Sequence, residues 1–114
     1  MTKKIIDINE AVIKNYIEDR RPEDLKIRAE IDFGYTYDGK IFELFEIRPL
    51  WNNPDKILHS PFAKIRYYKS KQLWYLYWMR GNGNWILYDE LPESASLNKI
   101  IEVIKADRHG CFFG

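Results

Sequence analysis

Residues 35–49, YTYDGKIFELFEIRP, decide how the chain is read. Asp38 and Gly39 supply the backbone angles of a tight two-residue hairpin turn, and a strand follows over 41–48. That strand carries apolar residues on both faces, so it is expected to be covered on both sides. Glu46 and Arg48 stand two residues apart and therefore share a face. Pro49 ends the strand, because it has no backbone donor.

Upstream, residues 27–37 alternate. Ile27, Ala29, Ile31, Phe33, Tyr35 and Tyr37 point one way, and Arg28, Glu30, Asp32 and Thr36 the other, as in a half-buried strand. Gly34 interrupts the pattern and marks a bulge. With Asp38 and Gly39 as the loop, Tyr35 opposes Phe42, Phe33 opposes Leu44, Ile31 opposes Glu46 and Ala29 opposes Arg48. Glu46 and Arg48 then sit at the end of the apolar face. Before this strand, residues 22–26 read as a turn or one short helical turn. A helix is expected over 8–20, with Asp7 as N-cap, Glu10 in capping-box position, and Ile8, Val12, Ile13, Tyr16 and Ile17 on one face. Pro22 stops it.

Downstream, residues 50–61 read as a loop punctuated by Pro54 and Pro61, with Trp51 as its anchor in the core. Residues 62–69 and 73–80 form a second hairpin around Ser70 and Lys71. Ala63, Ile65, Tyr67, Trp74, Leu76, Trp78 and Arg80 share one face. Phe62, Lys64, Arg66, Tyr68, Leu73, Tyr75, Tyr77 and Met79 share the other. Asn82 and Gly83 signal another tight turn into a strand over 85–89, pairing Arg80 with Trp85, Trp78 with Leu87 and Tyr77 with Tyr88. Residues 91–95 read as a loop. Ser96 caps a last helix over 97–107, with Leu97, Ile100, Ile101 and Ile104 as its buried stripe. The tail ends in two phenylalanines and is expected to dock. The sum is an α+β fold: a five-stranded antiparallel sheet with an N-terminal and a C-terminal helix packed on one face.

Composition narrows the function classes. A chain of 114 residues is one domain, and 46% hydrophobic residues exclude a disordered tail. A net charge of +1 gives no global field for nucleic acid, so any charged surface is local. The single Cys111 excludes an internal disulfide and fits a cytoplasmic protein. No apolar run approaches a membrane span, and the first residues are too polar for a signal peptide.

The combination of Arg20, Arg21 and Pro22 with Phe33-Gly34-Tyr35, Leu44-Phe45-Glu46-Ile47-Arg48-Pro49, Pro61-Phe62-Ala63-Lys64, Trp78-Met79-Arg80 and a terminal Gly110-Cys111-Phe112-Phe113-Gly114 resembles a small bacterial family. It is the domain-of-unknown-function family numbered three-zero-two-four, and the likeness runs over nearly the whole chain. The resemblance implies a bacterial, cytoplasmic, single-domain protein of the kind carried in integron gene cassettes. It supplies no activity and no catalytic residues.

Four side-chain sets merit a chemical reading. Glu46, Arg48 and Arg80 are charges that the strand registers place on apolar faces. They are either a structural ion pair with Arg80 stacked on tryptophan, or a pocket for phosphate or carboxylate lined also by Lys64 or Trp51. Lys64, Arg66, Tyr68, Tyr75, Tyr77 and Tyr88 interleave cations with rings, as single-strand nucleic-acid platforms do. The same face, through Tyr75, Tyr77, Met79 and Ile86, also suits a homodimer. Asp32 with Glu43 or Glu46 near Lys64 or Arg48 sketches a metal-dependent nuclease, although Asp32 faces away from Glu46. His59, His109 and Cys111 make no zinc motif, and Cys111 reads as a small buried residue. The favoured function is a non-catalytic binding or interaction module with a nucleic-acid or protein partner. Its binding residues are Glu46, Arg48, Lys64, Arg66, Tyr75, Tyr77 and Arg80, and no cofactor or metal is assigned.

Overall fold

A computed structural model of the protein describes residues 7–113. The N-terminal stretch read as too polar for a signal peptide, residues 1–6, lies outside the described residues, as does Gly114 of the terminal motif. Helix α1 spans Ile8–Arg20. The Asp7 carboxylate accepts from the backbone N–H of Asn9 at 2.8 Å and Glu10 at 3.4 Å, closing the first turn. Its second oxygen accepts from the Tyr37 hydroxyl at 3.0 Å, so the cap also ties the helix to the sheet. Glu10 binds the Tyr35 hydroxyl at 3.3 Å. Ile13, Tyr16 and Ile17 are buried, whereas Ile8, placed on the same stripe, is 80% exposed.

The alternation from Ile27 misleads. A short helix, α2, occupies Leu25–Glu30. Asp24 caps it by accepting from Lys26 N–H at 2.8 Å, and Arg28 Nε donates back to the Pro22 carbonyl at 2.9 Å. Ile27 and Ala29 therefore belong to a helix, and the first strand, β1, is only Asp32–Tyr37. Strand β2 spans Ile41–Leu50, and its register with β1 differs from expectation by two residues: Tyr37 opposes Phe42, Tyr35 opposes Leu44 and Phe33 opposes Glu46. Asp38 causes the shift. Its carboxylate accepts from Lys40 and Ile41 N–H at 2.9 and 2.8 Å, so it flanks the turn and Gly39 (φ +96°) and Lys40 form the loop. Gly34 makes no bulge. A Cβ there would lie 2.9 Å from the Phe45 ring, so glycine is what lets that ring lie across β1.

Residues 53–61 are strand as well. β3 runs as one 16-residue element, Asn53–Tyr68. The bulge sits here, between Leu44/Ala63 and Phe45/Pro61, with Phe62 as the extra residue. It turns Phe62 out of the face predicted for it and into the core, edge-on to Phe33 at 6.3 Å. Beyond the bulge β1 stays paired with β2 as far as Ile47, and past it β2 and β3 continue as a two-stranded arm whose turn holds Trp51 and Asn52. Trp51 anchors nothing: it is 90% exposed at the arm's tip.

β4, Leu73–Met79, pairs with β3 in the expected register, Lys64 with Tyr77 and Arg66 with Tyr75. β5, Trp85–Leu87, is slipped by one residue from expectation, so that Met79 opposes Trp85, Trp78 opposes Ile86 and Tyr77 opposes Leu87. The loop is the reason. Gly83 N–H donates to the Arg80 carbonyl, Arg80 N–H donates to the Asn84 carbonyl, and Gly83 has φ +84°. That is a three-residue loop closed by a left-handed glycine, not a two-residue turn. β6, Glu93–Ser94, extends the same edge of β4 where a loop was expected. Helix α3, Leu97–Ala106, is capped by Ser96, which accepts from Lys99 N–H at 3.2 Å.

The architecture is α+β. The antiparallel order is β1-β2-β3-β4-β5, with β6 also on β4, and α1 and α3 share one core with one face of the sheet. The Cα envelope is 45 × 45 × 21 Å, thin enough for two layers and no third. The second face of β2, expected to be covered, has Glu43, Phe45 and Ile47 only half-buried. The tail docks as expected. Asp107, at φ 42°, turns the chain back, and its carboxylate accepts from Phe112 and Phe113 N–H at 3.0 and 2.9 Å. Phe112 is buried, and Phe113 packs on Phe62 at 4.8 Å with Arg20 over its ring at 4.1 Å. No helix among the described residues is long and apolar enough to cross a membrane.

One core group is out of place. Tyr16 is 3% exposed and its hydroxyl has no hydrogen-bond partner among the described residues; burial pushes its pKa up to about 12. Tyr16→Phe keeps the ring and removes the stranded hydroxyl, so it is expected to leave stability unchanged or raise it by up to about 2 kcal/mol. A denaturation midpoint lowered by the substitution would show that the hydroxyl is satisfied in solution.

Candidate nucleic-acid interface on the outer sheet face

The face opposite the helices is built by strand alternation alone. Past the bulge, the even-numbered residues of β3 point to it, which sets Lys64, Arg66 and Tyr68 beside Tyr75, Tyr77 and Met79 of β4. The one-residue slip of β5 brings Trp85 and Leu87 onto the same face. The Lys64 ammonium lies 5.0 Å from the Tyr77 ring centroid and 6.0 Å from that of Trp85, and the Arg66 guanidinium 4.7 Å from Tyr68. Lys71 Nζ donates to the Tyr75 hydroxyl at 3.1 Å. The Tyr68 and Tyr75 rings meet edge-on at 4.6 Å, and the Tyr68 and Tyr77 hydroxyls are 3.4 Å apart. Burial first, and the Tyr68 hydroxyl second, push the Tyr77 pKa up to about 12, so this phenol stays neutral in the physiological range.

Among the described residues, neither Lys64 nor Arg66 has a carboxylate in salt-bridge reach. Their charges are held by ring faces instead, an arrangement that keeps them available to an incoming anion. Glu43 opposes Lys64 and Glu93 opposes Tyr75, so two carboxylates edge the patch. Beside it, Phe45 and His59 stack at 4.7 Å and 13°, forming with Thr36, Glu43 and Pro61 a shallow recess of about 240 Å³.

Several predicted members are elsewhere. Tyr88 is buried against Phe112 at 5.2 Å, on the helix side. Ile86 opposes Trp78 on that side too, so it cannot join a dimer face with Tyr77. Arg80 is exposed in the β4–β5 connection, not on the apolar face, because the loop is one residue longer than its sequence suggests. Glu46 and Arg48 do meet, at 3.2 Å, with 22% and 53% of their side chains exposed. They form a pair on the arm without Arg80, Lys64 or Trp51, and exposed pairs of this kind contribute about 0–1 kcal/mol. The residues missed were Trp85, Phe45 and His59. Their signals were the Asn82-Gly83-Asn84 run, which suits a three-residue loop, and Gly34 opposite an aromatic residue.

The acidic set does not converge. Asp32 is gripped by Arg21 through two contacts, Nε to Oδ1 at 2.9 Å and Nη2 to Oδ2 at 3.0 Å, and it opposes Ile47, not Glu46. No group of three potential metal ligands forms among the described residues. His59 stands apart from His109 and Cys111. His109 Nε2 contacts Glu90 Oε1 at 2.6 Å, and this pair lines a recess of about 260 Å³ with Trp78, Tyr88, Asp89 and Cys111. Burial, then Asp107 and Glu90, raise the Cys111 pKa, which makes its thiol a poor nucleophile.

The Arg21 hydrogen bond, against an opposing cost of burial, holds Asp32 below the usual carboxylate range, with Phe33 N–H assisting. A depressed folded pKa contributes stability that is full above the unfolded value of about 4 and is lost as pH falls through the folded value. Asp32→Asn is therefore expected to cost on the order of 1–2 kcal/mol at neutral pH and to flatten the acid limb of the stability curve. An acid limb identical to that of the parent protein would contradict this.

A family model described as a domain of unknown function, DUF3024, matches residues 2–114. No curated protein and no solved structure matches the chain.

Proposed function

The chain belongs to the DUF3024 family, and we propose that its outer sheet face binds single-stranded nucleic acid without cleaving it. The observation that carries this reading is the placement of Lys64 and Arg66 over tyrosine and tryptophan rings with no carboxylate in salt-bridge reach among the described residues. A phosphate draws the ammonium of Lys64 off Tyr77 and Trp85, and the uncovered rings offer a base the stacking surface it needs. Arg66, planar and backed by Tyr68, contacts phosphate or stacks on a base. Glu43 and Glu93 temper the field, which keeps the affinity modest and dependent on salt. The Phe45–His59 stack continues the aromatic track toward β2. The single, half-buried cysteine suits a cytoplasmic setting.

The test is fluorescence anisotropy with labelled oligothymidine and oligoadenine over a salt series. Binding is expected to weaken linearly in log–log form, and Lys64→Ala and Arg66→Ala each lower the slope by about 0.7. Trp85→Ala is expected to cost about 1–3 kcal/mol of affinity with the slope unchanged. No binding at low salt, or binding that Lys64→Ala and Arg66→Ala leave intact, contradicts the proposal and leaves a protein partner for this face.

A further inference from the structure

We infer that the arm formed by β2 and β3 beyond the Phe62 bulge is the interface with a second copy of the chain, joined edge to edge through β3. β4 pairs with β3 only over residues 63–68, so along 53–61 the outer edge of β3 has no strand beside it among the described residues. An open edge is a template for another strand. The ribbon is also apolar on both sides. Leu58 opposes Arg48 and Ile57 opposes Pro49, so their side chains fall on opposite faces, yet they are 49% and 58% exposed. A free two-stranded ribbon is marginal in water, and one apolar on both faces is more so.

Three features select a second copy. The arm's charges, Glu46, Arg48, Asp55 and Lys56, sum to zero and exert no pull on a polyanion. An antiparallel pairing with its two-fold axis at Ile57 sets Asp55 opposite the His59 imidazole of the second copy and Ile57 against its own counterpart, so no like charges meet across the edge. Pro54 and Pro61 bracket the edge and limit the pairing to the segment between them, so the assembly closes as a dimer instead of growing. Trp51, Ile57, Leu58 and the paired edges cover on the order of 500–600 Å² per copy, which brings the pair to roughly the 1,000–1,200 Å² at which specific interfaces begin. Lys64 and Arg66 take no part in this surface, which shares only His59 with the aromatic track, so variants at Ile57 test it apart from nucleic-acid binding.

The test is sedimentation of the full chain over a wide concentration series. The expected result is a reversible doubling of the 13.8 kDa mass. Ile57→Lys sets two like charges face to face on the axis and is expected to weaken association by more than about a hundredfold, with an unchanged circular-dichroism spectrum. In a Cys111→Ser background, Ile57→Cys is expected to form a disulfide-linked dimer on mild oxidation, a readout that does not depend on the lysine variant folding. A monomer at every concentration, a dimer whose strength Ile57→Lys leaves unchanged, or an Ile57→Cys protein that does not cross-link overturns the inference.

Discussion

The pairing of β2 with β3, and the single extra residue that interrupts it at Phe62, is the constraint on which the remaining structure depends. On one side of the bulge, Phe42, Leu44, Ala63 and Ile65 interlock as a fully buried floor for both helices. At the bulge, Phe62 swings inward to meet Phe33 and Phe113, and so holds the tail. On the other side the ladder runs on past β1, which ends opposite Ile47, and becomes an arm. One inserted residue thus separates a packed sheet from a projecting ribbon, because a one-residue change in register exchanges the faces of every side chain beyond it.

The two faces of the sheet obey different physics. The helix side is closed by apolar burial, and its polar groups serve as fastenings: Asp7 on Tyr37, Asp107 on the tail amides, Arg21 on Asp32. The outer side has no such cover. There the ammonium of Lys64 and the guanidinium of Arg66 lie over the faces of aromatic rings. This half-buries the tyrosines without neutralising the cations. A surface that is both aromatic and cationic, on a chain with a net charge of only +1, concentrates in one place what the composition dilutes.

Much of this was legible from local chemistry. Helices α1 and α3 follow from Asp7 and Ser96 as caps and from stripes at helical spacing. The β3–β4 register follows from one turn, and with it Lys64, Arg66, Tyr75 and Tyr77 fall on one face. The losses came where a side chain or a loop overrode the pattern. Ile27, Ala29 and Ile31 alternate like a strand, but Asp24 caps a helix there. Pro54 and Pro61 read as loop punctuation, but a strand with a free edge tolerates proline. Asp38 bonds the turn amides and moves the β1–β2 loop by one residue. The left-handed Gly83 adds a residue to the next loop, which hid Trp85 from the platform and put Tyr88 and Arg80 on the wrong faces. The spacing of Glu46 and Arg48 put them on one face and left an ion pair or a pocket open, whereas their exposure depended on the arm, and the arm depended on the bulge.

The central claim, that the outer sheet face is the nucleic-acid surface, is tested most directly by amide chemical-shift mapping of the labelled protein titrated with an unlabelled oligonucleotide. The account predicts shifts clustered on residues 64–68, 75–79 and 85–87, with α1 and α3 unmoved. Shifts confined to the helices or to the arm, or a spectrum that the oligonucleotide leaves unchanged at low salt, would contradict it.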